Sequence, residues 1–304
     1  MVAGGYSYGK MPSCVQVVSG DSNIKQFPSL PDTHEMQWPK GIGGPSLVIH
    51  SKTILLCGAG RNAEKCLQLD DESWKEHSIH NYEGRFRSSI VSTHMATFIF
   101  GGRNAENTYE YLPIGSTSWQ IGKTTIPGGF RFGFAIAEKS DQEIWLFGGK
   151  DTDKRILSFN PYNHTFEELS TMLNIPRKSQ RCAYIPGTNQ IAITGGEHGY
   201  ITLKEVEYFD AKDRSISIKS REGHLNFPRQ YHGIGIVTIN DEEKLAVFGG
   251  LGETWNKLDN VEFYNTKTKT WETSKITLTE PNWAFTSLTF KPSDLKLTKN
   301  YRKK

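Results

Sequence analysis

The sequence predicts an all-β fold, a six-bladed β-propeller of four-stranded antiparallel blades, closed into a ring by a C-terminal strand that completes the N-terminal blade. Three observations carry this expectation. A short apolar run ending in a glycine turn recurs six times. Each copy is followed by the same succession of strand and turn signals. The chain also starts partway through one unit and finishes on the part that unit lacks.

The recurring turn reads VAGG at 2–5, LLCGAG at 55–60, FIFGG at 98–102, WLFGG at 145–149, AITGG at 192–196 and AVFGG at 246–250. The matched positions Gly4, Ala59, Gly101, Gly148, Gly195 and Gly249 are 55, 42, 47, 47 and 54 residues apart. Those intervals fall near the roughly 50-residue period of propeller repeats. Ile144, Trp145, Leu146 and Phe147 are apolar without alternation, which a strand tolerates only when both faces are covered. Neighbouring radial blades provide that cover. Glycines at the strand end permit positive φ and close packing where blades crowd.

A variable polar loop follows each glycine pair, then a strand with paired large residues: Leu67/Leu69, Tyr109/Tyr111, Leu157/Phe159, Val206/Tyr208 and Val261/Phe263. Asp, Asn or Gly opens the next turn, and Phe27, Trp74, Trp119, Phe166, Ile216 or Trp271 comes after it. The step is six residues from Asn160 to Phe166, from Asp210 to Ile216 and from Asn265 to Trp271. A last strand, as at 131–137, 180–185 and 232–237, leads to the following glycine pair, giving four strands per unit. After Trp271 one strand remains, at 283–290, and it aligns with the strand missing from the first blade. Residues 1–290 are therefore expected to form one propeller domain. Residues 291–304 hold six Lys or Arg in 14 and read as a solvated, disordered tail.

Composition agrees with this organisation and narrows function. Apolar residues make up 36% and there are 29 glycines, a turn-rich globular balance. A net charge of +3 gives no argument for nucleic acid. Cys14, Cys57, Cys66 and Cys182 show no metal-ligand spacing and are expected to be reduced, buried hydrophobes. No apolar run is long enough to span a membrane and the opening residues lack a signal pattern, so the expected setting is cytoplasmic. One glycosylation sequon, Asn163-His164-Thr165, is of a kind that arises by chance.

Motifs for chemistry are sparse. Gly58-Ala59-Gly60-Arg61-Asn62-Ala63 satisfies a dinucleotide fingerprint, but no helix can follow before the next strand. There is no G-x-S-x-G, H-E-x-x-H, P-loop or EF-hand loop. His198, His224 and His232 could meet on one face, although scattered histidines are the simpler reading. No catalytic residue, metal or cofactor is expected.

The apolar run, glycine pair, Tyr or Phe, and Trp some 20 residues on closely resemble the Kelch repeat, over about residues 1–290. Blade 2 departs with Gly58-Ala59-Gly60 and blade 5 with Ile216 in place of Trp. The resemblance implies a non-enzymatic module that binds a partner protein or peptide on its loop face. The position after each glycine pair would face the partner: Tyr6, Arg61, Arg103, Lys150, Glu197 and Leu251. A second set at the start of the innermost strands would be Arg85 or Arg87, Arg131, Arg177, Arg229 and Trp283, with Tyr231 and Phe132 nearby. Arginines suit carboxylates, so the expected partner is acidic. The same arginines could instead brace adjacent blades through ion pairs. Likeness to BTB–Kelch proteins suggests a substrate adaptor for a cullin-type ubiquitin ligase or an actin-associated scaffold. The alternatives are a propeller enzyme, metal-dependent oxidase or sugar-processing, and a glycan-binding propeller.

Overall fold

In the computed structural model Ile144, Trp145, Leu146 and Phe147 are all fully buried, and they face two different neighbours in alternation. Trp145 and Phe147 pack with Ile191, Ile193 and Phe209 of the next blade. Ile144 and Leu146 pack with Phe98, Phe100 and Tyr109 of the preceding one. The unbroken apolar run is thus two half-strands' worth of core, one for each inter-blade interface. Fully burying each such side chain contributes about 1.5–3 kcal/mol.

The structure describes residues 46–57, 65–70, 73–79, 85, 88–102, 105–128, 133–139, 142–149, 153–218, 223–239, 241–278, 281 and 286–288, with the short strands 2–3, 15–17 and 25–27. They form six four-stranded sheets, each antiparallel throughout. From the inner edge outward, blade 2 comprises Ser46–His50, Thr53–Cys57, Lys65–Asp70 and Ser73–Ile79. Blade 4 comprises Ala135–Lys139, Glu143–Phe147, Ile156–Asn160 and Thr165–Glu168. Blades 3, 5 and 6 repeat the plan with inner strands Ser89–Ser92, Arg181–Tyr184 and Gly233–Ile239.

Closure occurs as expected. Thr286–Ser287 pairs with Val2–Ala3, in register Val2 to Ser287 and Ala3 to Thr286, and becomes the innermost strand of blade 1. Ser287 Oγ donates to Ile234 O and accepts from Ile234 N at 2.8 and 2.9 Å, joining blade 1 to blade 6. The inner strands touch in a closed circuit, 46–50 to 89–92, 135–139, 181–184, 233–239, 286–287 and back. The tail 291–304 lies outside the described residues.

In blades 3 and 6 the tryptophan near the start of the outer strand ties the blade to its predecessor. Trp271 Nε1 donates to Tyr208 OH of the preceding blade at 3.3 Å, and Trp119 Nε1 to Ser78 Oγ at 3.0 Å. Ile216, at the position of these tryptophans in blade 5, packs against the blade 4–5 core without a polar bond.

Two expectations need correction. Strand register places Cys57 level with Phe100, Phe147, Thr194 and Phe248. The counterpart of Gly101 is therefore Gly58, not Ala59, which moves Arg61 one place beyond the post-glycine position. The cysteines are also not all reduced. Cys57 and Cys66, directly opposite on neighbouring strands with Cα atoms 4.2 Å apart, form a disulfide. Cys182 is free and buried, and burial pushes its thiol pKa up.

Candidate functional site

The glycine pairs hold one blade to the next. Gly148 and Gly149 have φ of 57° and 143°, and Gly195 and Gly196 of 55° and 97°. Gly149 N donates to Arg177 O at 3.0 Å, and Gly196 N to Arg229 O at 2.9 Å, each across a blade boundary. A Cβ on Gly148 would lie 2.9 Å from Arg177 O. Glycine is required there for both the left-handed backbone and the approach.

The arginine whose carbonyl meets that glycine turns its side chain into its own blade. Arg85, Arg177 and Arg229 are fully buried and pair with the equally buried Glu110, Glu207 and Glu262. Their Nη1 atoms donate to the carbonyls of Gly101, Gly195 and Gly249 at 2.9, 2.9 and 2.7 Å. Glu207 also accepts from the backbone N of Asn174 and Ile175, and Glu262 from that of Asn226 and Phe227. One carboxylate thus fixes the turn in L-N-x-P-R and neutralises its arginine. Burial lowers the guanidinium pKa of Arg177 and Arg229, and the paired glutamates oppose that shift. The partner-face assignment of these three arginines is corrected accordingly. They have no surface to offer, and the bracing is within a blade by side chain and between blades by backbone.

The same register carries Leu67 in blade 2 and Leu157 in blade 4, where blades 3, 5 and 6 carry glutamate. Arg131 lies outside the described residues, as do Tyr6, Arg61, Arg87, Arg103, Phe132, Lys150 and Trp283.

Where it is described, the residue after the glycine pair also points inward. Glu197 and Leu251 are 6% and 3% exposed. Each forms an isolated bridge with the segment leading into its own blade, Glu197 with Lys178 and Leu251 with Gln230. Lys178 Nζ adds an ion pair to Glu197 at 3.4 Å. This corrects the expectation that these two residues face a partner.

Tyr231 is placed differently. It is half-buried with φ of 52°, level with Ser179 (59°) and Gly133 (72°). Tyr231 N donates to Ser179 O and Ser179 N to Gly133 O, so these left-handed residues form a hydrogen-bonded arc just before the inner strands. Counted back from the inner strand, Arg85 shares the position of Arg177 and Arg229.

Among the described residues, the most exposed large apolar side chains at the glycine end are ones that the sequence did not single out. Tyr200 is 94% exposed, Ile201 65% and Trp255 62%. Tyr200 and Ile201 belong to the hairpin of Glu197–His198 and Ile201–Thr202, between the second and third strands of blade 5. Trp255 sits in the matching loop of blade 6, in a turn closed by Trp255 N to Gly252 O. The two loops are stitched together: Gln230 Nε2 donates to Thr202 Oγ1 at 3.2 Å while its backbone pairs with Leu251. Arg229 N donates to Leu203 O, and Leu225 N to Lys204 O, which sets the partly exposed Phe227 beside the hairpin. The signal available was Gly199-Tyr200-Ile201 and Thr254-Trp255, large apolar residues at loop tips where turn chemistry asks for polar ones.

Little supports a reaction centre in what is described. His232 is buried with Nε2 2.8 Å from Thr194 Oγ1, and burial holds its pKa well below the usual value. His224 Nδ1 accepts from Val206 N, and His198 is on the exposed hairpin. These histidines are separately engaged, and among the described residues no three His, Cys, Asp or Glu converge as metal ligands. After the G-x-G-x-x-A stretch the chain forms strand Lys65–Asp70, not the helix that dinucleotide binding uses.

Residues 87–290 match the family model described as the KLHDC2/KLHL20/DRC7 Kelch-repeats domain. A comparison with curated proteins finds no match.

Proposed function

Because this chain belongs to the Kelch-repeat family of β-propellers, whose domains are in general protein-interaction modules, we propose that it binds a protein or peptide at the glycine end of blades 5 and 6. The observation that carries this reading is the exposure of Tyr200, Ile201 and Trp255, together termed the ridge, on two loops stitched by Gln230. Exposed aromatic and aliphatic tips on a hydrogen-bonded base have little ordering entropy left to lose, and such residues dominate binding energy in protein interfaces.

An acidic partner remains part of the proposal on a reduced set of cations. Arg87 and Arg131 stay in the candidate set as the inner arginines that lie outside the described residues. Arg61, Arg103 and Lys150 follow glycine turns, and Tyr6, Tyr231 and Trp283 complete the candidate face. The finer readings, a cullin-type ligase adaptor or an actin-associated scaffold, rest on the BTB–Kelch likeness and require a reducing cytosol.

The test is affinity capture with quantitative mass spectrometry using wild type, Y200A/W255A and R61E/R103E. Loss of the same proteins with the first variant supports the ridge, and loss with the second supports an acidic partner. Undiminished capture by Y200A/W255A would place the interface elsewhere.

A further inference from the structure

Asn163 lies at the tip of the hairpin joining the third and fourth strands of blade 4, at the end of the blade opposite its glycine pair. Its side chain is exposed, and Thr165 donates to its Oδ1 from Oγ1 at 2.6 Å and from N at 3.2 Å. Asn160 holds the turn, its Oδ1 accepting from Tyr162 N and Asn163 N, with His164 left-handed at φ 60°. The same turn recurs at 210–215 and 265–270, held by Asp210 and Asn265, with Asp213 and Thr268 in the place of Asn163. The turn therefore does not require an asparagine at this position. Of the three copies, only this one forms Asn-x-Thr.

A second, independent observation points the same way. Cys57 and Cys66 are joined, and both are essentially inaccessible to solvent at 1% and 0% exposure. Structural disulfides form and persist in oxidising compartments and are rare in the cytosol. Transfer of oligosaccharide to Asn-x-Thr belongs to the same secretory setting.

We propose that Asn163 is an N-glycan acceptor, modified in the oxidising compartment where the Cys57–Cys66 bond closes. Asn163 Nδ2 forms a bond to the anomeric carbon of an oligosaccharide carried on a polyprenyl diphosphate. The anomeric carbon–oxygen bond breaks, the diphosphate leaves with its electron pair, and the amide proton passes to a base of the transferase. Closure of the disulfide passes two electrons and two protons from the thiols to a dithiol–disulfide oxidoreductase in its disulfide form. A glycan at Asn163 would project from the end opposite the Tyr200–Trp255 ridge and leave that ridge open. The proposal stands apart from the interaction reading. It replaces the cytoplasmic expectation, and its success would remove the ligase-adaptor and actin readings.

The test uses the full chain isolated from its native source, with thiols blocked at lysis by N-ethylmaleimide. The expected result is an Asn163 peptide recovered as the Asp form only after N-glycosidase treatment, and Cys57 and Cys66 peptides joined until reductant is added. In secreted recombinant protein, N163Q should lose the glycosidase-sensitive mobility shift. Recovery of unmodified Asn163 overturns the acceptor assignment, whether or not the cysteines are joined. Cys57 and Cys66 each carrying N-ethylmaleimide overturns the compartment.

Discussion

Arg229 and Glu262 form an ion pair with no exposed side-chain surface on either partner, and Leu157 occupies the glutamate's register in blade 4. A buried charge without its partner destabilises by about 3–5 kcal/mol, whereas replacing both members with well-packed apolar groups is often neutral. E262L alone should therefore lower the urea unfolding midpoint sharply, and R229M/E262L should recover most of the loss. Equal instability of both variants would assign the cost to the turn that Glu262 caps at Asn226 and Phe227.

Gly148→Ala should destabilise by about 2 kcal/mol or more, because left-handed strain adds to the approach of Arg177 O. Gly187→Ala is the control: its φ is 71° but nothing lies within 4 Å of a Cβ there, so it should show the strain of about 1–2 kcal/mol alone. Thermal unfolding of the two variants separates close approach from backbone conformation.

Acid should weaken the fold through His50. Burial, with the charge of nearby His77 second, lowers its pKa to about 4, whereas the unfolded chain takes up that proton near 6.5. Between these values the unfolded state binds more protons, so stability falls as pH drops from about 6.5 to about 4. His77 and His232 shift in the same direction. The His50 share is on the order of 2–3 kcal/mol, and H50Q should flatten the dependence of the unfolding midpoint over this window. An unaltered slope would refute the assignment.

The Cys57–Cys66 bond closes a loop of nine residues' separation at the glycine end of blade 2. C57A/C66A should cost about 2–3 kcal/mol, mainly by freeing the unfolded chain. Urea unfolding with and without reductant gives the same difference in wild type and none in the variant.

W255A and Y200A should each weaken partner binding by at least about tenfold, the range of interface hot spots. Both side chains are largely exposed, so unfolding free energies should stay within about 0.5 kcal/mol of wild type. A variant that loses stability along with binding would not count as a contact residue.

The glycine pairs, strand order and ring closure were legible because they depend on local periodicity and on a repeat that reports itself six times. Arg85, Arg177 and Arg229 were misassigned because their fate depends on a residue some 25–33 positions later, Glu110, Glu207 or Glu262. A trace of that pairing was present in the sequence, since Arg85, Arg177 and Arg229 accompany glutamate in the third strand while Arg131 accompanies leucine. The inward turn of Glu197 and Leu251 left no such trace. It follows from cross-strand bridges to Lys178 and Gln230, which a strand-by-strand pattern does not contain. The exposed ridge lies where the repeat ceases to constrain the residue, and there composition at loop tips is the remaining clue.

The seam between residues 2–3 and 286–287 also orders events during synthesis. A chain emerging from the ribosome can complete blades 2 to 6 in turn, each from contiguous sequence. Blade 1 must wait with its inner edge open until residues 286–287 have been translated. For that interval Val2–Ala3 is an unpaired strand edge of the kind that recruits foreign strands, so the protein most needs to be kept from its neighbours until residues 286–287 have emerged to cover it.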